Sequence, residues 1–165
     1  GGIILKLEPG GHQMKIEGTF NVAAARPEVW RNITDPAVMG ICIPGCNSIE
    51  VTGESSYQAK IEVKVGPIKA KFGVDVEVTE EVEPDRIVST TRGEEGGRAS
   101  VISANNFLKL SDGEFGGTDV YYSSDVTISG RLGKYGHGIM KKVAKNLSDK
   151  FADEFREQVE TGQAV

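Results

Sequence analysis

The sequence has no apolar run of the roughly 20 residues that a membrane-spanning helix requires. It also lacks the basic and then apolar N-terminal pattern of a secretory signal. Basic residues are not in excess, because the formal net charge is −5, and this argues against nucleic acid as a partner. What remains is a chain of 165 residues, 38% of them hydrophobic, which predicts about one globular domain with a sizeable core.

Cysteine is scarce, with only Cys42 and Cys46 in the chain. Two cysteines cannot form a disulfide framework, and they favour the reducing cytosol as the location of the protein. They supply at most half of a four-ligand structural zinc site, and no His or other Cys lies near them in sequence. A redox pair is the other active possibility. We interpret them as two half-buried thiols in a loop shaped by Pro44 and Gly45, and we predict no metal site.

Catalytic motifs are also missing, since the chain contains no nucleophile elbow, phosphate-binding loop or metal-ligand signature. Alternation along the strands places several carboxylates on the solvent face: Asp75, Glu77, Asp119 and Asp125. We therefore expect no close carboxylate pair to point inward, and we predict no catalytic residue and no cofactor. The inward polar groups are Asn106, Tyr122 and Ser124, whereas His137 is predicted to be a surface residue.

Alternation of apolar and polar residues, the pattern of a half-buried strand, dominates what the chain does contain. It predicts seven strands: residues 15–22, 48–52, 57–65, 68–79, 86–92, 98–110 and 118–129. Two short helices separate the first two strands. Pro27 opens the first helix at 26–33, while Asp35 caps and Pro36 opens the second, which runs through Met39. Consecutive strands joined by short turns predict an antiparallel sheet with one apolar face.

Residues 130–160 form the one segment long enough and periodic enough for a dominant helix. Its apolar residues recur mostly at intervals of four: Leu132, Tyr135, Ile139, Met140, Val143, Ala144, Leu147, Phe151 and Phe155. Four glycines lie at its start, although each weakens a helix by about 1 kcal/mol: Gly130, Gly133, Gly136 and Gly138. They indicate either the mouth of a cavity or a loosely wound helix start packed on the sheet.

The predicted fold is therefore α+β. It has a curved, seven-stranded antiparallel sheet, two short helices after the first strand, and a long C-terminal helix packed across the sheet. Residues 14–160 are predicted to form a single domain. Residues 1–13 are interpreted as an extension or cloning remnant, and residues 161–165 as a short tail.

This order of elements resembles the helix-grip fold of the START-like (SRPBCC) superfamily, and within it the family of the carbon monoxide dehydrogenase G subunit. The matching motifs are Gly18-Thr19-Phe20, Val29-Trp30, Asp35-Pro36, Cys42-Ile43-Pro44-Gly45-Cys46, Val65-Gly66-Pro67-Ile68, Gly117-Thr118 and the segment 130–135. The resemblance covers residues 14–159. Its most specific parts are the Cys-Ile-Pro-Gly-Cys loop and the Val-Gly-Pro-Ile turn.

The resemblance implies a carrier or accessory protein for a hydrophobic small molecule, lipid- or quinone-like, serving a molybdenum-containing dehydrogenase. It implies a cytoplasmic location that includes the inner face of the membrane. Family members often add a C-terminal tail thought to reach the membrane, and since this chain ends at Val165, we expect membrane contact to be at most peripheral. Two alternatives stay open. One is a cyclase- or dehydratase-like enzyme using Tyr122 or Asn106, and the other is a ligand-free interaction module that uses the sheet surface.

The candidate binding site is the gap between sheet and helix, because the inward side chains of the sheet are mostly small or medium in size. We predict that the gap is lined by inward residues of the last two strands, by the helix start, and by two aromatic residues opposite them. These residues are Trp30, Phe72, Ile102, Leu108, Val120, Tyr122, Val126, Leu132, Tyr135 and Ile139.

Charges are segregated along the predicted long helix, opposite to the preference of the helix dipole. The basic residues of its first half are Arg131, Lys134, Lys141, Lys142 and Lys145. The acidic residues of its second half are Asp149, Asp153, Glu154, Glu157 and Glu160. The basic half is either a patch near the cavity mouth that meets an acidic partner or an anionic membrane, or an ordinary solvated face.

Overall fold

The structure is a computed structural model that describes residues 3–8, 11–135 and 137–162, and the side chains of 13–135 and 138–162. Its strands are β1 (Ile3–Glu8), β2 (Gly11–Val22), β3 (Cys46–Gly53), β4 (Ser56–Val65), β5 (Ile68–Val82), β6 (Arg86–Glu95), β7 (Ser100–Asp112) and β8 (Thr118–Gly130). Its helices are α1 (Arg26–Ile33), α2 (Pro36–Cys42) and α3 (His137–Glu160). Over the described residues, the strands form one antiparallel sheet in the order β1-β2-β8-β7-β6-β5-β4-β3.

All seven predicted strands are present, and the curved antiparallel sheet with its long C-terminal helix is confirmed. An eighth strand, β1, lies in the segment that was expected to fall outside the domain. It pairs with the first half of β2, whose backbone would otherwise be an unpaired edge. Residues 1, 2, 9, 10, 136 and 163–165 lie outside the described part of the chain, as do the side chains of residues 3–8, 11, 12 and His137.

The two short helices begin as the sequence predicts. Pro27 lies in the first turn of α1, where a backbone N–H would have no intrahelical acceptor, so its absence in proline costs no hydrogen bond. The Asp35 carboxylate accepts a hydrogen bond from the backbone N–H of Ala37 at 2.9 Å and so caps α2. The second helix continues past the predicted Met39 to Cys42.

The long helix begins at His137, so the predicted start at Gly130 is wrong. Gly130 has φ +85°, and a Cβ there would lie 2.2 Å from the carbonyl oxygen of Ala99. The chain therefore leaves β8 in a backbone conformation that L side chains rarely adopt. A short 3₁₀ turn over Leu132–Lys134 follows, and Tyr135 is extended before α3 begins.

Helix α3 packs over the concave face of the sheet, whose apolar side chains form two clusters. The cluster at the C-terminal half of α3 contains Phe20, Val22, Val29, Trp30, Ile33, Val38, Cys42, Leu110, Val120, Ala152, Phe155 and Val159. The cluster at its N-terminal half contains Met14, Val65, Ala70, Phe72, Ile128, Leu132 and Met140. Along β8 the two clusters are separated by Tyr122 and Ser124, which are only half-buried.

Candidate ligand-binding site

A cavity of about 620 Å³ lies between the concave face of the sheet and the α1–α2 segment. Its sheet side is formed by β4, β5, β6, β7 and β8, and by the end of β3. Its helical side is formed by Ile33 of α1, by Pro36 and Met39 of α2, and by Ile43, which follows α2. Pro36 opens α2 directly after the Asp35 cap, so the local sequence signal that starts this helix also positions one wall of the cavity.

The cavity opens at the end of the sheet where β3 turns into β4. Exposed lining residues occur there, namely Gly53 at the end of β3, Glu54 and Ser55 of the turn, and Glu80 and Glu81 of β5. The closed end of the β4–β5 hairpin, at Gly66, lies at the opposite end of these strands. We call the exposed end the mouth, and its charged lining residues are acidic.

Most of the wall is apolar and built from side chains of small or medium size. The apolar lining residues of the sheet interior, apart from aromatic ones, are Ala59, Ile61, Val74, Val76, Val78, Ile87 and Leu108. Alternation puts every second residue of β4, β5 and β6 on this face. Because branched aliphatic residues are short, a strongly curved sheet faced with them leaves space that the α1–α2 segment does not fill.

Four polar side chains cross the interior wall on three neighbouring strands, and we call them the polar strip: Ser89, Thr91, Asn106 and Ser124. The hydroxyl of Ser124 donates to Asn106 Oδ1 at 2.8 Å. Asn106 Nδ2 in turn donates to Thr91 Oγ1 at 2.9 Å and to Ser89 Oγ at 3.3 Å. The carboxamide of Asn106 is therefore held by its neighbours on both sides, which fixes its orientation.

Tyr122 lines the cavity beside the polar strip and lies over a glycine of the next strand. Gly18 is its cross-strand partner in the β2–β8 pair. A Cβ built on Gly18 would lie 2.5 Å from the hydroxyl oxygen of Tyr122 and 2.8 Å from Cζ. The ring therefore occupies the space that any other side chain at position 18 would need, and it also packs against Phe20, with ring centroids 6.3 Å apart.

Tyr57 lies on the other side of the polar strip, two strands from Thr91. In the register of the sheet, Tyr57 pairs with Val76, and Val76 pairs with Thr91. Burial raises the pKa of the Tyr57 phenol, and the nearby Cys46 thiol adds to the rise. The phenol is therefore a neutral hydrogen-bond donor at physiological pH.

The structure distributes the ten predicted lining residues over three places. Leu108 and Tyr122 line the cavity. The remaining buried or half-buried residues belong to or pack against the two apolar clusters: Trp30, Val120, Phe72, Leu132, Ile102, Val126 and Tyr135. Ile139 is 40% exposed on α3. The described lining residues include none from α3, so the cavity lies nearer to α2 than the sequence pattern predicts.

The other candidate groups of the sequence lie apart from the cavity interior. Cys42 is buried at the end of α2, and Cys46 begins β3, with both thiols free. Burial raises the pKa of the Cys42 thiol to about 11, with a further contribution from Glu154. Among the described side chains, no group of three or more His, Cys, Asp or Glu residues is arranged to hold a metal ion.

The start of the long-helix segment lies at the end of the sheet opposite the mouth. Tyr135, which precedes α3, approaches the closed end of the β4–β5 hairpin, where a Cβ on Gly66 would be 3.4 Å from its ring. Lys145 pairs with Asp149 at 3.0 Å on the exposed surface. Arg131 is committed to Glu95.

Glu95 is a buried carboxylate that no sequence pattern had identified as a candidate. It accepts hydrogen bonds from Arg131 and from the Ser100 hydroxyl, and Ser100 Oγ accepts one from the backbone N–H of Leu132. The hydrogen bond from Arg131 is the main cause that lowers the pKa of Glu95, against the opposing effect of burial. This network attaches the segment before α3 to the ends of β6 and β7.

The sequence model of the CoxG family, named for the G subunit of carbon monoxide dehydrogenase, matches residues 18–160. Comparison with curated proteins found no match. Over the described residues, no helix combines the length and apolar character needed to cross a bilayer.

Solved structures share the fold at low sequence identity. A conserved protein from Geobacillus kaustophilus has a TM-score of 0.82 at 24% identity, over 89% of this chain and 95% of that one. A START superfamily protein from Mycobacterium smegmatis has a TM-score of 0.70 at 14% identity, over 89% and 97%. The ZhuI aromatase/cyclase from Streptomyces sp. R1128 has a TM-score of 0.64 at 15% identity, over 90% and 94%. These likenesses establish a START-like fold.

Proposed function

The chain belongs to the CoxG family of the carbon monoxide dehydrogenase G subunit, and we propose that it binds and carries a hydrophobic small molecule in the cavity beneath α1 and α2. The ligand would be lipid- or quinone-like in its apolar character. The single observation that carries this proposal is the cavity of about 620 Å³ with its largely aliphatic wall. That volume falls within the range of roughly 300–1,000 Å³ that is typical of small-molecule sites.

The fold supports this proposal because START-like proteins bind hydrophobic ligands between sheet and helices. A filled interior would have favoured a ligand-free interaction module instead. In this chain the valines of β5 and the polar strip of β6, β7 and β8 leave the space open.

We extend the proposal to the partner that the family name suggests, a molybdenum-containing dehydrogenase of the carbon monoxide type. The chain would then act as an accessory protein in the cytoplasm, with membrane contact at most peripheral. Co-purification of tagged chain with such an enzyme from the source cells tests this extension. Recovery of no molybdenum enzyme, at a yield where the bait itself is abundant, would contradict it.

Fluorescence titration with N-phenyl-1-naphthylamine, an uncharged apolar probe, tests the carrier proposal. The probe should bind the wild-type chain saturably. Val76→Trp should abolish most of that binding, because Val76 is half-buried and lines the cavity. Glu77→Trp is the matched control, since the adjacent residue is exposed on the opposite face of β5.

The two variants separate a cavity effect from a surface effect. The proposal predicts that Glu77→Trp binds the probe as the wild type does, while Val76→Trp, folded by circular dichroism, does not. Equal probe binding by all three proteins would show that the probe does not enter the cavity. Absence of binding by the wild type at millimolar probe would remove the support for a carrier.

A cyclase- or dehydratase-like enzyme is the second candidate. The specific observation that favours it is that Tyr122 and Asn106 both line the cavity. One observation argues against it. The charged groups among the described lining residues are the carboxylates of Glu54, Glu80 and Glu81, and these lie at the mouth rather than in the interior, where acid–base groups would be needed. Tyr122→Phe and Asn106→Leu variants that turn over any identified substrate at the wild-type rate would eliminate this candidate.

A further inference from the structure

The described lining of the cavity carries negative charge at its mouth and none of either sign in its interior. Its charged residues are Glu54, Glu80 and Glu81, and all three are exposed. Glu80 is paired with Arg86 at 3.3 Å, and both side chains of this pair are substantially exposed. No Lys or Arg occurs among the described lining residues.

An anionic head group would therefore be disfavoured in either orientation. Buried against the interior wall, a carboxylate would lose its hydration without gaining a cationic partner, which is costly. Left at the mouth with its tail inside, it would lie beside Glu54 and Glu81 and be repelled by them. Neither argument applies to an uncharged head group.

The hydrogen bonds of the polar strip leave donors available to such a head. Both N–H groups of Asn106 are used, by Thr91 and Ser89, and its carbonyl accepts from Ser124. Thr91 and Ser89 thus act as acceptors in these bonds, so their own O–H groups remain free to donate. Within the described hydrogen bonds, neither hydroxyl donates to a protein acceptor, and both residues line the cavity.

We propose that the cavity selects an uncharged ligand with an apolar body, and that a carbonyl-type oxygen of its head accepts hydrogen bonds from Thr91 and Ser89. This inference rests on the proposed carrier function and adds to it the position and chemistry of the head group. The tail runs along the valines of β5 toward the mouth. Fatty acids and anionic phospholipids are disfavoured as ligands, while ketones, quinones and neutral esters share the chemistry that the site accepts.

The experiment is a competition against bound N-phenyl-1-naphthylamine at pH 8, using three twelve-carbon competitors: 2-dodecanone, dodecanoate and dodecane. The wild-type chain should release the probe at an at least tenfold lower concentration of ketone than of carboxylate. Thr91→Val keeps the shape of the side chain and removes its hydroxyl. It should weaken binding of the ketone by about two- to tenfold, which corresponds to one hydrogen bond. It should leave binding of dodecane unchanged.

Thr90→Val is the matched control, because Thr90 is the exposed neighbour on the opposite face of β6. Asn106→Leu is a second test variant, since it removes the group that orients both donors, and Asn105→Leu on the outer face is its control. Both controls should behave as the wild type. A folded Thr91→Val or Asn106→Leu protein whose ketone-to-dodecane preference equals that of the wild type overturns the assigned head-group position.

The outcomes distinguish this inference from the proposed function. Displacement by dodecanoate at the same or a lower concentration than by 2-dodecanone would overturn the selectivity and leave a carrier without head-group preference. Failure of the probe and of all three competitors to bind would overturn both the inference and the carrier proposal.

Discussion

Replacement of Gly18 by alanine tests whether Tyr122 is positioned by the absence of a side chain on the neighbouring strand. The backbone of Gly18 is not in the left-handed region, so alanine can adopt its conformation. The added Cβ would lie 2.5 Å from the Tyr122 hydroxyl oxygen and 2.8 Å from Cζ. Ordinary contacts between such atoms are about 3.5–4.0 Å, so the ring must move by about 1 Å.

The magnitude follows from two opposing effects. Overpacking of this kind costs about 1–3 kcal/mol. Alanine has less conformational freedom than glycine in the unfolded chain, and this offsets about 0.4–1 kcal/mol of that cost. We therefore expect Gly18→Ala to lower the free energy of unfolding by about 0.5–2 kcal/mol, and to weaken probe binding because the ring is displaced toward the cavity.

A double-mutant cycle with Tyr122→Leu, measured by urea denaturation, isolates the contact. Leucine lacks the outer ring atoms that the new Cβ would meet. In the Tyr122→Leu background, Gly18→Ala should therefore lower the free energy of unfolding by at least about 1 kcal/mol less than in the wild type. Independent sites add within about 0.5 kcal/mol. Additivity within that margin would refute the claim that the absence of a side chain at Gly18 accommodates the Tyr122 ring.

Three further predictions concern groups outside the cavity interior. Glu95→Gln should lose about 1–3 kcal/mol of stability at pH 7. In urea titrations this deficit should shrink as the pH falls below the pKa of an ordinary carboxyl group, because the lowered pKa of Glu95 stabilises the fold only while the group is ionised. A deficit that does not change with pH would contradict this. Gly45→Ala should destabilise the fold by more than about 2 kcal/mol, since the φ of Gly45 is +77° and a Cβ there would lie 2.0 Å from a carbonyl oxygen. Gly116→Ala should destabilise it less, because a Cβ at Gly116 meets open space, although φ is +105°. Equal melting temperatures of the two variants would refute the steric argument. Iodoacetamide at pH 8 should modify Cys46 at least tenfold faster than Cys42, because a pKa of about 11 leaves about one Cys42 thiol in a thousand ionised. Peptide mass mapping that finds Cys42 modified first would overturn this prediction.

The architecture could be predicted from the sequence because alternation reports directly which face of each strand is buried. The pattern over residues 118–129 placed Val120 and Ile128 on the inner face, and both are buried. The short helices could be predicted for a similar reason, since Pro27 and Asp35 act on the residues next to them. Such local signals need no knowledge of the rest of the chain.

The start of the long helix could not be predicted in the same way. Periodicity continues through Leu132 and Tyr135, which suggested a helix from Gly130. The structure ends β8 there because Gly130 takes a positive φ against the backbone of Ala99, a contact between residues distant in sequence. Leu132 and Tyr135 still pack on the N-terminal cluster, but from a turn rather than from α3.

The position of the cavity depends on how the strands pair, which alternation alone does not reveal. Inward alternation correctly brought Asn106, Ser124 and Tyr122 to the concave face, and all three line the cavity. Ser89 and Thr91 alternate inward in the same way, but only the pairing of β6 with β7 places them against Asn106. Two small polar residues on the inner face of one strand were the signal that could have identified them.

Native mass spectrometry of freshly purified chain, followed by organic extraction, tests the central claim most directly. The account predicts a small adduct that is released by solvent, is uncharged at neutral pH, and contains at least one carbonyl-type oxygen on an apolar body. It also predicts that the adduct is missing from Val76→Trp and retained by Glu77→Trp. Recovery of a fatty acid or an anionic phospholipid as the bound species, or equal occupancy in both variants, would contradict the account.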